Sequence, residues 1–281
     1  MFQWLTSFED KWKKYSQPGS QVNLNSDIVK NQNIAIPSIE EQEKIGQLFQ
    51  SLDRTITLHE EKQCQLEQLK KALLQKMFAD ETGYPVLRFK GFTEKWEQRK
   101  LGEIATIVGG GTPSTKNPEY WDGDINWYSP AEIGNQIYTE KSERQITELG
   151  LKKSSAKLLP VGTVLFTSRA GIGKTAILNK EACTNQGFQS IIPRSKMLNS
   201  YFLFSRTNSL KQYGETMGSG STFVEVSGKQ MSKMPLFIPN INEQSRIAKL
   251  FQSLDKTITL HDKKIQYLKQ LKRGLLQKMF V

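Results

Sequence analysis

Three short stretches hold residue types and spacings from which chemistry could follow. Ala170-Gly-Ile-Gly-Lys-Thr175 ends like a phosphate-cradling loop, whose backbone amides and lysine would hold a nucleotide. That loop needs another glycine five residues before the Gly-Lys pair, and Ser168 stands there. Its context predicts strand, turn, strand, with no helix N-terminus to receive phosphate. The stretch therefore reads as a tight hairpin presenting Arg169 and Lys174. Asn117-Pro-Glu-Tyr120 approaches the Asn-Pro-Pro-Tyr of adenine methyltransferases, but its third position is wrong and no Gly-rich cofactor turn with an acidic partner accompanies it. Gly109-Gly-Gly111 opens onto Thr112-Pro113 rather than onto a dinucleotide-binding helix. The chain has two cysteines, Cys64 and Cys183, and two histidines, His59 and His261, without metal-ligand spacing. Residues 84–235 contain no histidine, so no Ser/His/Asp or Cys/His set can form there. The expectation is a protein with no catalytic residue, no cofactor and no metal.

Binding is the alternative to catalysis, and the charge favours it. The net charge is +11 over 281 residues, which points to an anionic partner such as nucleic acid, because Lys and Arg release counterions from phosphates. Residues 84–235 carry twenty Lys/Arg against thirteen Asp/Glu. Within them Lys116, Arg169, Lys174, Gln186, Gln189 and Ser221 fall on expected loops with side chains suited to phosphates or base edges, and they are the DNA-binding candidates. With 37% apolar residues, no uncharged apolar run near membrane-spanning length and no basic-then-apolar leader, a reduced, cytoplasmic protein is expected.

An internal repeat supplies the elements that must position such a surface. Ile36-Pro-Ser-Ile-Glu-Glu-Gln42 returns as Ile238-Pro-Asn-Ile-Asn-Glu-Gln244, Thr55-Ile-Thr-Leu-His59 as Thr257-Ile-Thr-Leu-His261, and Leu73-Leu-Gln-Lys-Met-Phe78 as Leu275-Leu-Gln-Lys-Met-Phe280. The offset is always 202, and about 28 positions are identical across the copies. Each copy predicts one long helix with a stripe of mixed threes and fours: Ile45, Leu48, Phe49, Leu52, Ile56, Leu66, Leu69, Leu73 and Met77, then Ile247, Leu250, Phe251, Leu254, Ile258, Ile265, Leu268, Leu271, Leu275 and Met279. Ser38 with Glu41 and Asn240 with Glu243 mark the starts as capping boxes. His59 and His261 fit as polar residues that set register. The seam is expected at Leu52, Ile56, His59, Leu66, Leu254, Ile258, His261 and Leu268. Residues 40–80 carry six Lys/Arg against eight Asp/Glu and residues 240–281 nine against three, so the first rod should pair with the second, antiparallel.

The block between the rods is rich in short β-type runs: Glu103–Val108, Gly162–Thr167, Thr175–Leu178, Ser190–Ile192 and Met234–Ile238. Helices are predicted near Tyr201–Tyr213 and Ser227–Met231. The fold class is thus α+β: one α/β domain with a mostly antiparallel sheet, flanked by two long antiparallel coiled-coil helices.

These residues resemble the specificity subunits of type I restriction–modification systems. Pro37–Gln42 and Pro239–Gln244, each opening a long helix, are similar to the family's spacers, as is the Leu-Leu-Gln-Lys-Met-Phe ending. Leu87-Arg-Phe89, Trp96, Leu101-Gly-Glu103, Gly110-Gly-Thr-Pro-Ser114, Tyr120-Trp121, Ile125-Asn-Trp127, Leu165, Arg169, Ile172-Gly-Lys174, Asn185-Gln186 and Gly218-Ser-Gly-Ser-Thr222 resemble its target-recognition domain in order. The resemblance implies a sequence-specific DNA-binding subunit without activity of its own. It would dock methyltransferase (modification) subunits and, through them, motor-nuclease (restriction) subunits. It further implies residues 34–80 and 236–281 as spacers, 84–235 as a recognition domain, and 1–33 as the remnant of a first such domain. Such a half-form is expected to read one half-site per chain and to pair as a homodimer. A scaffold or silent cassette that binds no DNA is the alternative.

Overall fold

The computed structural model describes residues 30–31, 36–134, 136–169, 171–219 and 225–279. In chain order the elements begin with α1 (Ile39–Lys76), β1 (Glu97–Lys100), α2 (Leu101–Ile104), β2 (Ala105–Gly109), β3 (Trp121–Tyr128), β4 (Arg144–Ile146), α3 (Glu148–Lys152) and β5 (Val164–Phe166). They continue with β6 (Thr175–Ile177), β7 (Ala182–Thr184), β8 (Gln189–Pro193), α4 (Ser200–Phe204), α5 (Thr207–Gly218), α6 (Gly228–Ser232), β9 (Pro235–Ile238) and α7 (Ile241–Met279). Two compact units result: residues 1–70 with 254–281, and residues 71–253. The expected remnant of a first recognition domain at 1–33 lies almost wholly outside the described residues. Among those described, no helix is long and apolar enough to cross a membrane.

Both long helices start as their sequences dictate. Ser38 Oγ accepts from the Glu41 amide at 3.3 Å, and Asn240 Oδ1 from the Glu243 amide at 3.0 Å. Gln42 and Gln244 each reach back to the preceding proline carbonyl, Pro37 and Pro239, at 2.9 Å. Each helix tolerates one glycine, Gly46 and Gly274.

In the first unit the helices pair antiparallel. Lys272 Nζ lies 2.5 Å from Asp53, Lys269 Nζ 2.7 Å from Glu60, and Lys70 Nζ 2.5 Å from Asp255. As the numbers climb along α1, they fall along α7. Among the sheltered positions on α1, Ile45, Phe49, Leu52, Ile56, His59, Gln63, Leu66 and Lys70 follow an alternation of four and three, with Asp53, Thr55, Leu73 and Leu74 sheltered beside them. Their equivalents at offset 202 are sheltered on α7. This corrects the expected stripe: Leu48, Leu69, Leu271 and Met279 are exposed. Apolar residues occupy both the seam and its flank, so apolarity alone does not separate them. The seam instead admits His, Gln and Lys.

The second unit holds three small sheets, with strand orders β1-β9, β2-β8-β5-β6 and β4-β3-β7. Every pairing is antiparallel except β3 with β7. Tyr128, Ile133, Leu159, Leu165, Leu178 and Phe188 pack one core, and Trp121, Trp127, Ile146 and Cys183 a second. The start of α7 belongs to this unit through Glu243. Its carboxylate is fully buried and takes two bonds of 2.7 Å from the Arg88 guanidinium. That pairing holds the Arg88 pKa above its ordinary value. Gln244 accepts from the Asn199 amide and donates to the Met197 carbonyl, tying α7 to the loop before α4.

Two local expectations are corrected. Glu103–Val108 is not strand throughout: Leu101–Ile104 form one helical turn, burying Leu101 and Ile104, and the strand begins at Ala105. The helix expected over Tyr201–Tyr213 breaks at Ser205-Arg206. There Ser205 Oγ bonds the Tyr201 carbonyl and Thr207 Oγ1 the Phe204 carbonyl.

Candidate nucleic-acid interface

The hairpin between β5 and β6 is built by one threonine and two glycines. Thr167 Oγ1 donates to the Gly171 carbonyl at 2.7 Å and accepts from the Lys174 amide at 2.9 Å. Gly171 and Gly173 sit at φ +101° and +95°, backbone that a side chain would strain. The turn projects Arg169 and Lys174 as exposed cations and leads straight into β6. Arg169 lies 4.0 Å from Glu225, a loose surface pair that leaves its donors available. The Lys174 stem runs beside Gly134.

Neighbouring loops converge on this hairpin. The Ser168 amide donates to the Gly187 carbonyl at 2.8 Å, which sets Arg169 near the 185–188 loop. Gln186 in that loop is exposed and accepts from Thr112 Oγ1 at 2.6 Å. The Gly110–Thr112 segment is pinned by Trp127 Nε1 on the Gly111 carbonyl, 2.9 Å, and by the Gly111 amide on Thr184. A Cβ at Gly110 would fall 1.9 Å from the Asn185 carbonyl, so only glycine lets these loops approach.

The sequence-derived candidates therefore divide. Arg169, Lys174 and Gln186 come together around one loop cluster. Lys116 is exposed on the loop four residues beyond Thr112. Gln189 does not belong to a loop tip: it lies in β8 opposite Gly109, half-buried, with its amide beside Gly228. Ser221 lies outside the described residues. Three further residues shape the cluster without having been singled out as site residues from the sequence: Thr112, Thr167 and Lys211. Lys211, on α5, crosses Gly173 so closely that a Cβ there would meet its side chain at 2.4 Å. That contact is made by the Lys211 stem, which braces the turn, while its ammonium lies 3.8 Å from Glu215 on the same helix. In the helix pair, Leu52, His59, Leu66, Leu254, Ile258 and His261 are half-buried, and Ile56 and Leu268 are buried.

Cys183 is fully buried, and desolvation pushes its thiol up to about 12. No group of three or more His, Cys, Asp or Glu that could hold a metal occurs among the described residues.

Comparison with known proteins agrees with this picture. A family model described as the type I restriction modification DNA specificity domain matches residues 1–68 and 93–270. The MjaIX specificity subunit of Methanocaldococcus jannaschii is 37% identical over 190 residues, covering 66% of this chain and 44% of the relative. The EcoR124I/EcoR124II specificity subunit of Escherichia coli is 29% identical over 205 residues, covering 66% and 50%. The chain thus spans about half the length of these relatives. A crystal structure of the S subunit of a type I restriction-modification system from M. genitalium superposes with a TM-score of 0.67 at 16% identity, covering 100% of this chain and 71% of that one. With the family model matching most of the chain, the protein belongs to the type I restriction–modification DNA specificity family.

Proposed function

We propose that this chain is a non-catalytic, sequence-reading DNA-binding subunit that works in the cytoplasm. Residues 84–235 act as its recognition domain and residues 34–80 and 236–281 as its spacers. The observation that carries the reading is the presentation of Arg169 and Lys174 on a two-glycine turn, beside a loop presenting Gln186. Cations of this kind hold phosphates and fix register, while a neighbouring amide can read an adenine edge in the major groove. One such cluster reads one half-site.

The spacers in this proposal dock modification subunits and, through them, restriction subunits. Support comes from the exposed apolar flank of the helix pair, which includes Leu58, Leu69, Leu260, Tyr267 and Leu271. Methyl transfer and cleavage belong to those partners.

Affinity for duplex DNA measured against salt tests the reading. The logarithm of affinity should fall linearly with the logarithm of salt, and Lys174→Ala should make that slope shallower by about one. Salt-indifferent binding, or a Lys174→Ala protein altered only in thermal stability, would leave the scaffold without DNA binding as the better account.

A further inference from the structure

The loops that meet at Gln186 continue past it. The Arg169–Lys174 hairpin reaches the 185–188 loop through the Ser168 amide. The Gly110–Thr112 segment holds Gln186 through Thr112 and is itself packed against a further loop, residues 153–157. A Cβ at Gly111 would fall 2.4 Å from the Ser155 backbone carbon and 2.5 Å from the Ala156 nitrogen, so the two backbones lie in direct contact. This further loop is fixed at both ends. Lys153 ends α3 with its amide on the Leu149 carbonyl, and Thr147 caps that helix through the Gly150 amide at 3.0 Å. Ala156 is buried in the core of Trp121 and Trp127, and Leu159 bridges Ala182 on β7. Between these anchors Lys153 and Lys157 are exposed. Lys152 pairs with Glu148 at 3.5 Å, whereas neither Lys153 nor Lys157 has a carboxylate partner among the described residues.

We propose that Lys153 and Lys157 form a second phosphate-holding arm, so that the recognition unit grips both strands of a duplex and Gln186 reads the groove between them. The proposal rests on the DNA-reading role given to the hairpin. In order of contact, the hairpin, the 185–188 loop, the 110–112 segment and the 153–157 loop follow one another. Arg169 and Lys174 stand at one end of this row, Lys153 and Lys157 at the other, and Gln186 between them. A major groove about 12 Å wide is bordered by two phosphate backbones, and gripping both borders fixes the register of a side chain that reads a base edge. Gly110 and Gly111 bring three backbones together with no side chain between them, so the position of one arm is passed directly to Gln186. Lys116 belongs with the second arm. Its loop is held by Trp121 Nε1 on the Ser114 carbonyl at 3.1 Å, in the core that also holds Ala156.

The test uses the full chain and a pool of random duplexes from which its preferred sequence is selected. The double variant Lys153→Ala, Lys157→Ala should show a log–log salt slope shallower by about two, and should select the same sequence as the wild-type chain. Lys153→Arg with Lys157→Arg should restore the slope, with the unfolding midpoint unchanged in both variants. Gln186→Ala should do the reverse, keeping the slope and relaxing one base position. On the selected duplex, phosphate ethylation should inhibit wild-type binding in two clusters, one on each strand, and the double alanine variant should lose sensitivity in one of them. A double alanine variant that keeps the wild-type slope and both clusters overturns the second arm and leaves the hairpin's role intact. A single cluster in the wild-type chain, seen without any variant, does the same. Wild-type binding indifferent to salt overturns both.

Discussion

At the scale of single residues, burial decides which groups can react and which can be removed. Cys183 is sealed in the second core with its thiol held near 12, whereas Cys64 is exposed on α1. At pH 8 a thiol reagent should therefore label one cysteine per native chain, and a second only after unfolding. Two fast-reacting thiols in the native chain would contradict this packing. The Arg88–Glu243 pair makes a stronger claim on stability. Removing Arg88 strands a buried carboxylate, so Arg88→Ala should cost about 3–5 kcal/mol in denaturant unfolding. Arg88→Met with Glu243→Gln should recover much of that loss, because no uncompensated charge then remains. Since the Arg88 pKa is raised, its contribution is fully present below the ordinary arginine range and is lost only as the pH climbs through the raised value. Across the working range the pair should show no pH dependence from Arg88.

At the scale of elements, the long helices were legible because repetition and heptad spacing reinforce one another. The seam was less so. Leu48 and Leu69 look like seam residues by hydrophobicity, yet they lie outside it, while Lys70 lies inside because Asp255 receives its ammonium group. A hydrophobicity pattern cannot register a lysine that enters a seam to meet a carboxylate across it. β1 was invisible for a related reason. Glu97–Lys100 carries no apolar residue, and its strand exists only because β9 pairs with it. In the candidate interface, Arg169 and Lys174 were legible from the glycine-flanked turn. Lys211 was not, because a helix brings it there from 37 residues away. Two outcomes check the helix pairing. Asp53→Lys alone should destabilise by about 1 kcal/mol, and Lys272→Asp added to it should restore stability. Cysteines at Gln47 and Gln277, with Cys64 and Cys183 replaced, should crosslink within one chain; crosslinks only between matching positions of two chains would refute the antiparallel arrangement.

At the scale of the whole molecule, we propose a homodimer on the ground of the helix pair's symmetry, with no single contact to carry it. A near two-fold helix pair can present the same apolar flank to a second copy, and an isologous interface would place two recognition domains in inverted orientation. The sites read should then be inverted repeats with a fixed gap, and light scattering should give about twice 32.1 kDa. A chain that remains monomeric at high concentration while its complex methylates an asymmetric site would rule the dimer out. The repeat also has a genetic side. Both copies keep the aspartate, the lysine, the histidine and the alternating seam at the same offsets, so a helix spliced from the front of one copy and the back of the other still fits either partner. Unequal crossing-over between the two coding segments would remove or add one 202-residue period, a recognition domain with one spacer, leaving a hybrid helix with an intact seam pattern at the joint. Such exchanges would change how many copies of the 84–235 block a chain carries while each helix keeps the seam pattern that lets it pair.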